Sequence, residues 1–270
     1  MVLIRKGGFG PWDGFMKMAV RLASANPACG RICEIGRCRM LLSLSVFIMT
    51  ILISQVQGEE SVVLLHGLAR SERSFMKMEA ALTDVGYRVV NYGYPSRQHD
   101  VKTLAGDVIP KALSRCPSGN TIHFVAHSLG CILIRQYLSE RPIDNLGRVV
   151  MLGPPNGGSQ VVDKLRDVPG FKLINGPAGM QLGTGELSVP NQLGPANFEV
   201  GIIAGTRSIN LILSTILPGS DDGKVTVENT KLEGMSDHIA LPVSHPFLMK
   251  NDRVIKQVIR FLESGAFEKE

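Results

Sequence analysis

The sequence predicts an α/β domain, a mostly parallel sheet of about six strands with helices on both faces. Three observations carry that reading. Short apolar runs rich in β-branched residues recur along 59–270, and amphipathic stretches separate most of them. Strands alternating with helices imply crossovers between parallel neighbours. The runs are apolar throughout and do not alternate with polar residues, as expected of strands buried on both faces.

The elements follow in chain order. Residues 61–65 (SVVLL) read as a buried strand, and 72–85 as an amphipathic helical stretch. Residues 87–92 form the second strand and 101–115 the next helical pattern. The third strand, 121–126 (TIHFVA), runs directly into a helix over 129–140. Residues 148–152, 198–204 and, more weakly, 237–243 supply the remaining strands. The last helix, 252–264, gathers Val254, Ile255, Val258, Ile259 and Leu262 on one face. Residues 153–197 break the rhythm. They are rich in Gly, Pro and Asn, with a helical pattern only near 159–165, and are far longer than an ordinary crossover. This stretch is expected to be a lid-like insertion.

Charge and hydropathy divide the chain. It is 44% hydrophobic and 20% charged, which excludes wholesale disorder. The net charge of +5 would suit nucleic acid or an anionic membrane, but all of it lies in residues 1–39, which carry seven basic and two acidic groups. From Glu59 onward 22 basic residues meet 22 acidic ones, so the domain is neutral and no nucleic-acid partner is expected. Residues 40–58 carry no charge and begin with fourteen nearly all apolar residues (MLLSLSVFIMTILI), ending in Val56-Gln57-Gly58. The run is short for a span, which takes about 20 residues, but suits the hydrophobic part of an export signal. The expectation is a basic leader at 1–39 that precedes the true start or forms a long flank, and then a cleaved signal peptide or a retained signal anchor at 40–58. The protein would be periplasmic, secreted or anchored to the membrane through 40–58.

Five cysteines are too few for a disulfide scaffold. Cys29, Cys33 and Cys38 have no fourth ligand nearby and lack zinc-ribbon spacing. Cys116 and Cys131 either pair or remain free thiols. No phosphate loop, dinucleotide fingerprint or zinc signature occurs, and no cofactor is expected.

The most specific chemical signal is Ala126-His127-Ser128-Leu129-Gly130, between a strand and a helix. A sharp strand-to-helix turn strains the backbone at the serine and leaves little room two residues away on either side. Small residues are therefore needed at 126 and 130, and the serine hydroxyl is lifted above the sheet. The Leu129 amide then lies at a helix N-terminus, suited to holding a developing oxyanion. After the first strand, Leu64-Leu65-His66-Gly67-Leu68 turns the chain so that the Leu68 amide can supply the second donor. His66 itself reads as structural.

A serine nucleophile needs a base, and the base needs an orienting carboxylate. His245, in a loop before the last helix, is preferred over His238, which lies at the start of an apolar run. Asp222, in Gly219-Ser220-Asp221-Asp222-Gly223-Lys224-Val225, is the preferred acid. Asp221 competes with it, and Asp237 more distantly.

These residues together resemble the secreted bacterial lipases and esterases of the α/β-hydrolase superfamily, with a further likeness to inositol-deacylase-type relatives. The resemblance rests on Leu64 to Leu68, Ala126 to Gly130, Asp222-Gly223-Lys224-Val225, His245 and Pro154-Pro155-Asn156-Gly157-Gly158-Ser159, and covers the chain from Ser61 onward. It implies the α/β-hydrolase fold, a Ser128-His245-Asp222 triad, an oxyanion hole at Leu68 and Leu129, and a small-molecule or lipid ester substrate. Ala126 replaces the commoner Gly, and Cys131 stands where many relatives carry a second Gly. Calcium-dependent members have acidic residues shortly after the histidine. Here Pro246-Phe247-Leu248 follows, so no metal site is expected. Val161, Val162, Leu165, Phe171, Leu173, Ile174, Met180 and Leu182 either line an acyl pocket or pack the insertion. An acyltransferase, a thioesterase or a non-catalytic binding module on the same fold are the rival expectations.

Overall fold

A computed structural model describes residues 60–209 and 214–269. The expectations for the basic leader 1–39 and the apolar segment 40–58, with Cys29, Cys33 and Cys38, lie outside the described residues. Among the described residues, no helix is long and apolar enough to cross a membrane.

Among the described residues there are six strands, β1 (Glu60–Leu65), β2 (Arg88–Tyr92), β3 (Thr121–His127), β4 (Leu146–Leu152), β5 (Val200–Gly205) and β6 (Asp237–Leu241). They form one sheet in the order β2-β1-β3-β4-β5-β6, and every pairing is parallel. The helices are α1 (Met76–Asp84), α2 (Val101–Leu113), α3 (Leu129–Glu140), α4 (Gln160–Leu165), α5 (Phe171–Met180), α6 (Val189–Gln192), α7 (Val227–Thr230) and α8 (Asp252–Ser264).

Side chains alternate across a strand, so the sheet divides the interior into two cores. Val63, Leu65, Phe124, Ala126, Val149, Met151 and Ile202 pack with α2 and α3 on one face. Val62, Leu64, Val125, Val150, Leu152 and Ile203 pack with α1 and α8 on the other. Helices thus cover both faces, which is why the central strands are apolar along most of their length, while the edge strands carry Arg88 and Asn91 in β2 and Asp237 and His238 in β6.

Local chemistry sets the helix ends. Asp100 accepts from the Thr103 amide at 2.9 Å to start α2, and Asn251 accepts from the Arg253 and Val254 amides to start α8. The helical stretch expected at 72–85 divides into a 3-10 turn (Glu72–Phe75) and α1. After α8 the chain folds back on itself. The Gln257 side chain and the Glu268 backbone exchange two hydrogen bonds of 2.9 Å, the Phe267 amide donates to Asp237, and the Phe267 ring packs 4.8 Å from Phe261.

The stretch 153–197 is more helical than expected. It contains α4, α5 and α6, and α5 was masked in the sequence by Gly176-Pro177. Gly176 breaks the helix at φ 64°, ψ −177°, yet the chain resumes helical geometry after it. This stretch is tied to the segment before α2. The Ala178 amide donates to the His99 carbonyl at 3.2 Å, and Gln181 accepts from the Val101 amide at 2.8 Å. Cys116 and Cys131 are free thiols.

Candidate active site

Ser128 stands alone between β3 and α3, at φ 52° and ψ −115°. A non-glycine residue in that region stores about 1–3 kcal/mol of strain and persists only where its surroundings impose it. Here the Ser128 amide donates to the Leu152 carbonyl at 3.0 Å, and its own carbonyl accepts from Cys131. The turn leaves no room behind it. A Cβ at Gly130 would lie 2.5 Å from the Leu65 carbonyl oxygen, and one at Gly67 would lie 2.6 Å from His127 Nδ1. Ala126 is fully buried. Cys131 fits behind the turn by donating its thiol to the Ala126 carbonyl at 3.2 Å, and burial pushes that thiol's pKa up.

The loop after β5 brings in the carboxylate. Asp222 is buried, and its Oδ2 lies 2.7 Å from His245 Nδ1. Its Oδ1 accepts from the Lys224 and Val225 amides, and its carbonyl accepts from the His245 amide at 2.9 Å. The competing acids are engaged elsewhere. Asp221 accepts from Ser214 and from the Gly223 amide, while Asp237 accepts from the His238 and Phe267 amides. His238 is bonded to Thr230 at 3.0 Å.

Two glycines that the sequence did not mark make room for this pair. Gly153, directly after β4, has φ 54°. A Cβ there would lie 3.0 Å from both Asp222 Oδ2 and His245 Nδ1. Gly205, at the end of β5, would place a Cβ 2.7 Å from the Asp222 Cβ. The available signal was a glycine at the end of a strand, which by itself reads only as a turn.

His127 and His66 hold the surrounding loops. His127 Nε2 donates to the His245 carbonyl, and burial, together with the nearby His245 ring, holds the His127 pKa well below its usual value. His66 stacks on Tyr94 at 4.1 Å, bonds the Gly67 carbonyl through Nδ1 and accepts from the Tyr94 amide. The Ala69 amide donates to Ser96 Oγ at 3.0 Å, pinning the loop that carries Leu68. Among the described residues, neither the Leu68 nor the Leu129 amide donates a hydrogen bond. Buried Arg135 donates to the Asn156 and Gly194 carbonyls, joining α3 to the loop after β4. Burial lowers its pKa to about 10.

Ser128 and His245 line one cavity of about 290 Å³, with Leu68 at its wall. Among the described residues no hydrogen bond joins the Ser128 hydroxyl to His245. Val161, Val162, Phe171, Ile174 and Leu182 line the cavity, whereas Leu165, Leu173 and Met180 do not. Among the described residues no cluster of three or more His, Cys, Asp or Glu could hold a metal.

No family model matches the chain, and no curated protein matches it. Solved structures do. The mature form of lipase BlEst2 from Bacillus licheniformis is 18% identical over 76% of this chain and 93% of that one, with a TM-score of 0.60. The phospholipase PlaB from Legionella pneumophila is 15% identical over 77% of this chain and 60% of its own, at 0.59. The metagenomic carboxyl esterase MGS0156 is 18% identical over 70% of this chain and 65% of its own, at 0.55. The chain therefore spans less than two thirds of the last two. The sheet order, its parallel ladders, the helices on both faces and these likenesses together give the chain the α/β-hydrolase fold.

Proposed function

We propose that this chain is a serine hydrolase of carboxylic esters, an esterase or lipase, acting through Ser128, His245 and Asp222. The observation that carries the reading is the buried Asp222–His245 pair facing the cavity lined by Ser128. His245, oriented by Asp222, takes the proton from Ser128 as its oxygen attacks the ester carbonyl. The Leu68 and Leu129 amides stabilise the oxyanion, and the alcohol leaves with a proton returned by His245. Water then releases the acid by the same steps. The names of the neighbouring structures, a lipase, a phospholipase and a carboxyl esterase, support an ester substrate. The apolar segment 40–58 serves in this proposal as export signal or anchor, to be checked by fractionation of cells expressing the full chain.

The test is a fluorophosphonate probe together with p-nitrophenyl esters of increasing acyl length, with and without an alcohol acceptor. Labelling and turnover that both vanish in Ser128→Ala, while the thermal transition stays within a few degrees, support the assignment. Turnover retained by Ser128→Ala overturns it, and product appearing only with the acceptor replaces hydrolysis by acyl transfer.

A further inference from the structure

The cavity that Ser128 lines shares two wall residues, Ala69 and Arg70, with a second one of about 450 Å³. The two differ in character. The first is walled mainly by apolar side chains of the insertion, among them Val161, Val162, Phe171 and Leu182. The second is lined by Tyr94, Ser96, Arg97 and Gln98. Arg70 faces both, and Lys224 adds a third cation on the first.

Among the described residues no carboxylate lines either cavity, although Asp222, behind His245, acts electrostatically on Lys224. Among the described residues, Arg70, Arg97 and Lys224 form no ion pair. The domain as a whole is neutral, so this grouping of cations is local. The backbone under the two arginines is held in place. Ser96, beside Arg97, accepts from the amide of Ala69, beside Arg70, and Gly176 of the insertion packs against the Arg97 backbone. Arg70 follows Leu68 by two residues, so its backbone lies within about 7 Å of the proposed oxyanion donor. A group attached through a short alcohol part can span that distance.

We propose that the site selects esters whose alcohol part carries an anionic group, a phosphate or a carboxylate, held by Arg70 and Arg97 while the acyl chain occupies the apolar cavity. The proposal rests on the reading of Ser128 as nucleophile. Guanidinium groups suit either anion because their paired N–H donors match its oxygens.

The test compares kcat/KM for 4-(butyryloxy)benzoate and 4-(butyryloxy)phenyl phosphate with the neutral 4-(butyryloxy)benzamide. At least one anionic ester is expected to be preferred by about tenfold or more at low salt. The two anionic esters distinguish a carboxylate from a phosphate ligand. Raising the ionic strength from about 0.01 M to about 1 M cuts the screening length from about 30 Å to about 3 Å and should erase most of the preference. This arm needs no variant. Arg70→Glu should invert the ratio and Arg97→Ala should lower it several-fold, whereas Arg260→Glu, at an exposed position of α8, should leave it in place. A wild-type ratio near one, or a preference insensitive to salt and to both arginine variants, overturns the proposal. Hydrolysis of the neutral ester that persists in Ser128→Ala instead overturns the reading of the nucleophile, and turnover of none of the three esters overturns both.

Discussion

His127 donates its Nε2 hydrogen to the backbone carbonyl of His245 at 3.0 Å, and the two rings lie 4.6 Å apart with a 49° tilt. The residue before the proposed nucleophile therefore anchors the backbone of the proposed base. Its Nδ1 is buried without a hydrogen-bond partner. Because burial and the neighbouring ring depress its pKa, His127 is held towards the neutral form and adds no positive charge beside His245 in the proposed mechanism. His127→Phe keeps a ring but leaves the His245 carbonyl without its donor, at a cost of about 1–3 kcal/mol. We expect a matching fall in urea-unfolding stability and a loss of at least about tenfold in kcat. His127→Gln, which restores a donor at similar reach, should recover part of both.

Asp222 and Asp221 are adjacent but have different jobs. Asp222 meets the imidazole, whereas Asp221 accepts from Ser214 and Gly223 and shapes the loop. Removing the charge of a triad carboxylate while keeping its shape typically lowers kcat by about 10⁴. Asp222→Asn should approach that loss in steady-state kinetics. Asp221→Asn should cost less than about tenfold in kcat and act mainly on thermal stability. Equal losses in the two variants would remove Asp222 from the triad.

Gly153 leaves the space in which the carboxylate and imidazole meet. A methyl there would press on Asp222 Oδ2, His245 Nδ1 and Leu248 at 2.9–3.0 Å, on a backbone already at positive φ. Gly153→Ala should therefore separate the pair, lowering kcat/KM by about 10²-fold or more, since misplacement by about 1 Å has that effect. The overpacking should destabilise the domain by about 1–3 kcal/mol. Full activity in a normally folded Gly153→Ala would show that the pair tolerates the displacement.

Acid should weaken the domain early. His66, His123, His127 and His238 all have pKa values lowered from 6.5, in each case chiefly by burial. Below about pH 6.5 the unfolded chain takes up protons that the native histidines still refuse, so the unfolded state binds more protons and stability falls as pH falls. Above that pH the contribution is fully present. Each histidine adds a slope of up to about 1.4 kcal/mol per pH unit within its own window. Asp100 and Asp237, held down by backbone hydrogen bonds, act in the same direction only below about pH 4. Denaturant unfolding between pH 8 and 5, with proton uptake measured by calorimetry, checks this. Stability that is constant or rising towards pH 5 would refute it.

What could be read from the sequence was local. The period of 252–264 and the direct passage from 121–126 into 129–140 locate α8, β3 and α3 because burial imposes those patterns on neighbouring residues. Gly130 was also legible, since the steric demand of the turn lies within two residues of Ser128. The structure places Asp222 Oδ2 2.7 Å from His245 Nδ1, the two residues that chain position had favoured over Asp221 and His238. The anchoring by His127 was not legible, because its partner carbonyl is 118 positions away. Gly153 and Gly205 were not either, because what they make room for arrives from the loop after β5 and the loop before α8. Helix α5 was hidden because Gly176-Pro177 is a strong local breaker, and the packing of Gly176 against the Arg97 backbone is a long-range contact that the sequence does not show.

The folded-back chain end makes the last residues a working part of the sheet. Phe267 is buried against Phe261, and its amide holds the side chain of Asp237, the first residue of the edge strand β6. β6 runs on through Val243 to the turn that presents His245, whose amide is bonded to the Asp222 carbonyl. Truncation before Phe267 would expose an aromatic surface and loosen the start of the strand that leads to the proposed base. Loss of the Phe267 contacts would thus register in an assay as lower turnover in the proposed reaction, although Phe267 does not line the cavity.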